Sequence, residues 1–240
     1  ADYAGTWQTS NVTVSPNGSE KIGGVAADVT LNTEGQSVTF VYIDGTQGWV
    51  NVLDSTSNVR GNSYITATGG TITTSGNDKI HTFTGPGTFT VSAIGACAAN
   101  NEVSYVVVAG GGGGGSGITT SSGAGGAGGY RETKSPVTPY TASPLDGQPS
   151  APNRITVTAT AFPITVGAGG AGGAASPPVN CGTVGSNSIF STIIGAGGGK
   201  GSKEVAAGGN GGSGGGGGGI GVGTPAGGSG NTPPTTPAQG

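Results

Sequence analysis

The chain has few of the residues from which helices and catalytic centres are usually built. Its 240 residues include three Leu, no Met and one His, and charged residues make up only 8%. Leu and Met are good helix formers, whereas the abundant Val, Ile and Thr favour strands. We therefore expect an all-β protein. Because the chain starts with Ala and has no Met, we expect a processed chain or a piece of a longer one.

The scarcity of histidine, cysteine and paired carboxylates argues against an enzyme. His81 lies in a predicted strand, and Cys97 and Cys181 are too far apart in sequence to form a metal-binding motif. The Asp residues fall mainly at predicted turns, where Asp is common. We therefore predict no catalysis, no metal and no cofactor. The two cysteines could form one disulfide, but we favour two reduced side chains.

Charge and hydropathy exclude two classes of partner. The net charge is −3, which leaves no basic patch for nucleic acid. No apolar stretch approaches the ~18 residues that a membrane helix requires. We predict neither nucleic-acid binding nor membrane insertion.

Glycine dominates the second half of the chain. Of its 55 glycines, 41 lie after residue 109. A short β-branched strand leads directly into a glycine run three times, at VSYVVVAGGGGGGSG (103–117), ITVGAGGAGG (164–173) and STIIGAGGGKG (191–201). A flexible linker has no reason to repeat this junction. We predict an architectural role for the glycines, above all for Gly110, Gly111, Gly112, Gly125, Gly128, Gly169 and Gly172.

The glycine runs have a period of three. Residues 124–130 read AGGAGGY and residues 168–174 read AGGAGGA. The polyproline II helix has three residues per turn, so a Gly-Gly-X run in this conformation places every X on one edge. The two bare edges then let neighbouring backbones approach and hydrogen-bond to each other. Collagen and a flexible Gly/Ser linker are the alternatives.

The first 109 residues have the patterns of ordinary β-structure. Residues 1–62 are predicted to form a small β module, with a hairpin turn at Asp44-Gly45, Trp49 in the core and Trp7 at a subunit interface. About 60 residues are marginal for an independent core, so oligomerisation would supply the missing burial. Residues 63–109 are predicted to form further strands, two of them joined by a Gly-Pro-Gly turn at 85–87, and residues 110–240 form the glycine-rich domain.

The segment 130–154 differs from the glycine runs on either side of it. It is rich in proline, charge and tyrosine, as expected of a binding loop on a rigid scaffold, although a solvated loop without a partner has the same composition. The candidate receptor-binding residues are Tyr130, Arg131, Tyr140, Asp146 and Arg154. The Pro/Thr-rich end, GNTPPTTPAQG, is expected to lead on to further sequence.

These motifs support a resemblance to a known family. HTFTGPGTFTV, the three strand-to-glycine junctions and the Pro/Thr-rich end together resemble the glycine-rich domain of bacteriophage tail-fibre and other virion structural proteins, from about His81 onward. Residues 19–49 resemble a small repeat module of phage fibre proteins.

The resemblance implies an intertwined homotrimer on a virion, extracellular when mature and joined to other virion proteins. It also implies recognition of a host surface glycan or outer-membrane protein by loops at 117–120, 130–154 and 177–187. One alternative is a purely structural virion or cell-surface filament subunit without receptor specificity. An ice- or glycan-binding polyglycine protein and a depolymerase are further alternatives.

Overall fold

The structure, a computed structural model, describes residues 1–54, 64–95, 98–118, 121–175, 177–219 and 225–240. Within these residues the secondary structure is short strands in small sheets, with two short 3₁₀ turns and no α-helix. The prediction of an all-β protein is therefore confirmed. The chain divides into two compact units, Ala1–Ser63 and Tyr64–Gly240.

The first unit consists of two antiparallel strand pairs. Its strands are β1 (Val12–Val14), β2 (Val29–Leu31), β3 (Val38–Asp44) and β4 (Gly48–Asp54), paired β1 with β2 and β3 with β4. The predicted hairpin at Asp44 is present, and the Asp44 carboxylate accepts the N–H groups of Thr46 and Gln47 at 2.8 and 2.7 Å. This arrangement is the Asx turn that Asp favours.

The first unit buries very little apolar surface. Leu31 is the one buried apolar side chain among those described in it. Trp49, predicted to lie in the core, is instead 36% exposed; its ring packs edge-on against Tyr42, and its indole N–H donates to Glu20 at 2.9 Å. The prediction failed because a two-stranded hairpin has no second layer to cover its apolar face.

The second unit contains one larger sheet and three strand pairs. Its strands are β5 (Thr66–Thr68), β6 (Thr71–Ser75), β7 (Asp78–Thr82), β8 (Gly87–Ala93), β9 (Glu102–Val103), β10 (Tyr105–Val108), β11 (Tyr130–Thr133), β12 (Ile155–Thr156), β13 (Ala161–Thr165), β14 (Ser188–Phe190) and β15 (Ile193–Gly195). The larger sheet has the order β15-β14-β13-β8-β5, and the pairs are β6-β7, β9-β12 and β10-β11. The Gly-Pro-Gly turn joins β7 and β8 along the chain, but these strands belong to different sheets.

An apolar core lies between these strands. Its eight buried residues are Phe89, Val91, Tyr105, Val107, Ile155, Val157, Phe190 and Ile193. Phe190 is central, because its ring packs edge-on against Phe89 and Tyr105 with centroids 6.1 and 6.0 Å apart. The strand expected to lead into the third glycine run is the second arm of a hairpin, since Ser191 turns the chain with a φ of 54° between β14 and β15.

The glycine-rich sequence forms eight extended segments that hydrogen-bond side by side. They are segments I (109–117), II (121–129), III (167–174), IV (180–187), V (195–203), VI (206–211), VII (212–219) and VIII (225–231). The N–H groups of residues 109, 112 and 115 donate to segment II, and those of 110, 113 and 116 donate to segment IV. This threefold repeat is that of polyproline II, so the predicted polyglycine II runs are confirmed. We call the eight segments the glycine lattice.

The lattice continues the register of the sheets. Val108 of β10 lies opposite Tyr130 of β11, and the N–H of Ala109 next donates to Gly129 at 3.0 Å. The same pairing runs on, without an inserted residue, to Gly115. The ladders β13-β14 and β14-β15 continue in the same way into segments III and IV and into segments IV and V. The change from strand to glycine run therefore alters the period from two to three but keeps the partners.

Position in the lattice explains where side chains occur. Segment V bonds to segments I, II, IV, VI and VII, and residues 195–202 are buried apart from the half-buried Lys200. In segments II and III, the alanines of the Gly-Gly-X repeat, which were predicted to share one edge, are all exposed; they are Ala124, Ala127, Ala168, Ala171 and Ala174. A segment surrounded by others thus carries mostly glycine, whereas an outer segment carries one small residue per turn.

The predicted structural glycines fall into two groups. A Cβ atom at Gly110, Gly112, Gly125 or Gly128 would overlap a backbone carbonyl group of a neighbouring segment. At Gly111, Gly169 and Gly172 the nearest atom would lie 3.5, 3.7 and 3.8 Å away, which is ordinary contact. Only the first group therefore excludes a side chain on steric grounds.

Candidate recognition surface

Strand β11 positions the most polar part of the second unit. It begins where segment II ends, and the N–H of Tyr130 donates to the carbonyl of Gln239 at 2.8 Å. Because side chains alternate along a strand, Tyr130 and Glu132 lie on one face and Arg131 and Thr133 lie on the other. The two faces carry two different groups of polar residues.

Glu132 organises the first face. It is 5% exposed, and its carboxylate accepts the Tyr130 hydroxyl at 3.0 Å and the N–H and hydroxyl of Ser143. Its carbonyl accepts the N–H of Gly147 at 2.9 Å. A buried carboxylate with several donors is a stable anchor, so the segment 130–154 is held to the strand at residues 143 and 147.

Tyr140 and Asp146 complete this face. Burial, reinforced by the negative charge of Glu132, raises the pKa of Tyr140 to about 12. The Asp146 carboxylate accepts the N–H groups of Lys134 and Gln148 at 3.0 and 2.9 Å. The Lys134 ammonium lies 5.9 Å from the centre of the Tyr140 ring, within range of a cation–π interaction. The apolar side chains that this ordered loop exposes are Val137, Tyr140 and Leu145.

The second face of β11 is built around Asn153. Arg131 is 9% exposed and donates to the Asn153 side-chain oxygen at 2.5 Å. The Asn153 carbonyl accepts the Tyr105 hydroxyl at 2.6 Å, and that hydroxyl accepts a hydrogen bond from Thr133 at 3.0 Å. Burial raises the pKa of Tyr105, so it remains a neutral donor.

A cleft of about 350 Å³ opens beside Arg131 and Asn153. Four stretches of chain border it: strand β11, the 3₁₀ turn Ala151–Asn153, the β14–β15 turn and the Pro/Thr-rich end. Its lining residues are Arg131, Ser150, Pro152, Asn153, Thr192, Ile193, Thr235 and Thr236. We call it the Arg131 cleft.

The structure brings together only part of the predicted receptor-binding set. Tyr130, Tyr140 and Asp146 cluster around Glu132, whereas Arg131 lies on the opposite face of the strand. Arg154 is exposed, and its Nε–H donates to the carbonyl of Gln148 at 2.6 Å. The sequence interpretation did not include Glu132, Ser143 and Asn153; the adjacent opposite charges of Arg131 and Glu132 in a four-residue strand were a usable signal.

Of the other two predicted loops, one differs from expectation and the second is only partly described. Residues 180–187 of the predicted loop 177–187 form segment IV of the lattice. In the loop 117–120, residues 119 and 120 lie outside the described residues, and the N–H of Ile118 donates to Glu204 at 2.8 Å. The Pro/Thr-rich end folds back, and the Gln239 side-chain oxygen accepts the N–H of Ala196 at 2.8 Å.

Three further predictions from the sequence concern metal binding, membrane insertion and the state of the cysteines. In the described part of the chain, no group of three or more His, Cys, Asp or Glu residues could hold a metal ion. The same residues include no helix of the length and apolarity needed to cross a bilayer. Cys181 is half-buried with a free thiol, and Cys97 lies outside the described residues.

Comparison with known proteins identifies one family. The chain matches the model of the family described as glycine-rich domain over residues 82–240, from the end of β7 through the lattice. No curated protein and no solved structure matches it. The match covers more than half of the sequence and includes all eight glycine segments, so the chain belongs to the glycine-rich domain family.

Proposed function

We propose that this chain is a non-catalytic fibre or adhesin subunit of a bacteriophage virion, extracellular when mature, which displays the segment 130–154 to a host surface. The observation that carries the proposal is the attachment of this segment to the lattice. Segment II runs directly into β11, and Glu132 then ties the loop at Ser143 and Gly147. A scaffold held by backbone hydrogen bonds can present a loop with little loss of entropy on binding.

The exposed part of the loop has suitable chemistry for a surface partner. Tyr140 is 38% exposed and Leu145 39%, and both belong to a loop in which most polar side chains are engaged internally, as those of Glu132 and Asp146 are. Ordered aromatic side chains contribute contact area at low entropic cost. A host glycan or outer-membrane protein would meet this face.

The first unit supports an assembly of several chains. Val41, Tyr42, Ile43 and Val52 of the β3-β4 hairpin are between 45% and 57% exposed. Such a hairpin is marginal alone in water. We propose that a homotrimer covers these side chains, with other virion proteins as further partners.

Cell binding tests the receptor function. Labelled full-length chain is incubated with a panel of bacterial strains, and we expect binding to some strains only. Tyr140→Ala should reduce that binding about tenfold, whereas Tyr140→Phe, which keeps the ring, should retain it. Tyr64→Ala is the matched control, because Tyr64 is 69% exposed and lies outside the loop.

A purely structural subunit is the second candidate, favoured by the internal engagement of most polar groups in the loop. Strain-independent binding that does not respond to Tyr140→Ala would support it and contradict the adhesin. Sedimentation equilibrium of the same sample tests the assembly, since a stable monomer would contradict the trimer.

A further inference from the structure

Arg131 is a buried cation without a counterion. It is 9% exposed, and among the described residues the one hydrogen-bond acceptor of its side chain is the neutral side-chain oxygen of Asn153. Among the residues that the structure describes, no carboxylate forms an ion pair with it. Burying an unpaired charge is costly, so buried charges are normally paired.

The fold keeps the neighbouring carboxylate away from this charge. Glu132 follows Arg131 directly, but it lies on the other face of β11 and is engaged by Tyr130 and Ser143. Asn153 is also fixed, because its Nδ2 donates to the carbonyls of Gly147 and Thr236 at 3.1 and 2.8 Å. The guanidinium is therefore held at the edge of the cleft with its charge unneutralised.

The rest of the cleft offers hydroxyl groups. Ser150, Thr192 and Thr236 line it, and their hydroxyls have no hydrogen-bond partner in the described chain. Pro152 and Ile193 add small apolar surfaces. A volume of about 350 Å³ lies at the lower end of the ~300–1,000 Å³ typical of small-molecule sites.

We propose that the Arg131 cleft binds an acidic sugar, with the guanidinium pairing with its carboxylate or phosphate group. Arginine presents a planar fork of donors that matches both of these groups. The free hydroxyls of the cleft can exchange hydrogen bonds with sugar hydroxyls, and the apolar surfaces can cover the ring. The site thus deepens the adhesin proposal, on which it rests for the source of the sugar, a host-surface glycan.

Calorimetric titration of the full-length chain tests the site. The ligands are glucuronate, glucose 1-phosphate, inorganic phosphate and glucose. We expect saturable binding of both acidic sugars, weaker binding of inorganic phosphate, which lacks the ring, and no measurable binding of glucose. If glucose binds as well as glucuronate, or if inorganic phosphate binds as tightly as glucose 1-phosphate, the proposal is wrong.

Three variants assign the binding to Arg131. Arg131→Gln removes the charge and should weaken acidic-sugar binding at least about tenfold, the loss of one charge-assisted hydrogen bond. Thr192→Glu should weaken it similarly by placing a carboxylate in the cleft; Thr192 is an exposed turn residue, so this variant tests the site even if Arg131→Gln fails to fold. Lys79→Gln is the control, because Lys79 is an exposed cation on β7, outside the segment 130–154, and does not line the cleft.

The outcome is separable from that of the cell-binding experiment. Sugar binding that survives in both Arg131→Gln and Thr192→Glu would overturn the site whatever the cells show. Loss of sugar binding in these variants, with no strain bound by the wild type, would support the site and contradict the adhesin function.

Discussion

Residues 64–240 contain two interiors built on opposite principles. Around Phe190 the strands bury apolar side chains, and eight such residues exclude water from the space between the sheets. In the lattice, most of segment V and residues 109, 110, 113 and 116 of segment I are also buried, but what surrounds them is the backbone of other segments. The first interior depends on apolar surface removed from water, at roughly 25 cal/mol per Å². The second depends on hydrogen bonds, each with a net contribution of about 0.5–1.5 kcal/mol.

The difference teaches what glycine does in this protein. Glycine loses more conformational freedom on folding than any other residue, so a glycine run is an unfavourable choice unless the missing side chain is required. Here it is required, because the neighbouring backbone occupies the space of the Cβ at eight of the glycines in segments I and V. Dense backbone pairing replaces the apolar core, and the shared register of sheet and lattice joins the two interiors.

The largest effect is expected from breaking the apolar interior. Phe190→Ala removes the ring that packs against Phe89, Tyr105 and Phe162, and should lower the free energy of unfolding by about 3–5 kcal/mol. Chemical denaturation measures this loss. Ile194→Ala, on the same hairpin but 43% exposed, is the control and should change stability by about 0.5 kcal/mol. Equal losses in the two variants would show that the Phe190 cluster is not the core.

The next largest effect is expected when a single Cβ atom is added within the glycine lattice. A Cβ at Gly113 would overlap the carbonyl of Ala171, so Gly113→Ala should cost about 1–3 kcal/mol or more through overpacking. At the next residue, Gly114, the nearest atom would be the Gly123 oxygen at 3.8 Å. Gly114→Ala should therefore be neutral, or stabilising by up to about 1 kcal/mol because it restricts the unfolded chain. Similar denaturation midpoints for the two variants would rule out the lattice geometry.

Amide exchange distinguishes the two interiors without a mutation. In segment I the N–H groups of residues 109, 110, 112, 113, 115 and 116 donate to neighbouring backbone, whereas those of Gly111 and Gly114 have no acceptor in the part of the chain that the structure describes. Residue-resolved NMR should show two slow amides followed by one fast amide, repeated along the segment. Alternation with a period of two would indicate a flat strand, and uniformly fast exchange would indicate a tether.

The sequence predicts the architecture of the lattice better than its connections. The three junctions mark where β10, β13 and β15 pass into glycine, and the alanines of AGGAGG mark the outer edges. The pattern cannot show which segments are neighbours, because a glycine run has no side chains to specify a partner. The structure supplies the rule for three pairs of segments, I with II, III with IV and IV with V, since each of these pairs continues the register of the ladder before it.

The candidate site was predictable in location but not in detail. Composition alone singles out 130–154 as the exceptional segment. It cannot show that Arg131 and Glu132 lie on opposite faces, because that depends on the pairing of Val107 with Arg131 in the β10-β11 ladder. Nor can it reveal the contact of Arg131 with Asn153, which lies 22 positions further along the chain.

The smallest expected effect is a response to high pH in the segment 130–154, with no response in segments I and II of the lattice. Segments I and II have no ionisable side chain, whereas burial and then the charge of Glu132 raise the pKa of Tyr140 to about 12, from the ordinary value of about 10. Because the folded loop holds the Tyr140 proton more tightly than the unfolded chain does, the contribution of Tyr140 to stability is complete below pH ~10 and is lost as pH rises toward ~12.

The phenolate absorbance of the wild type minus that of Tyr140→Phe isolates this titration, and Glu132→Gln should move its midpoint back toward pH ~10. A difference titration already centred near pH ~10 in the wild type would mean that Tyr140 is not held against Glu132. The loop would then lose the ordered aromatic side chain on which the recognition proposal depends.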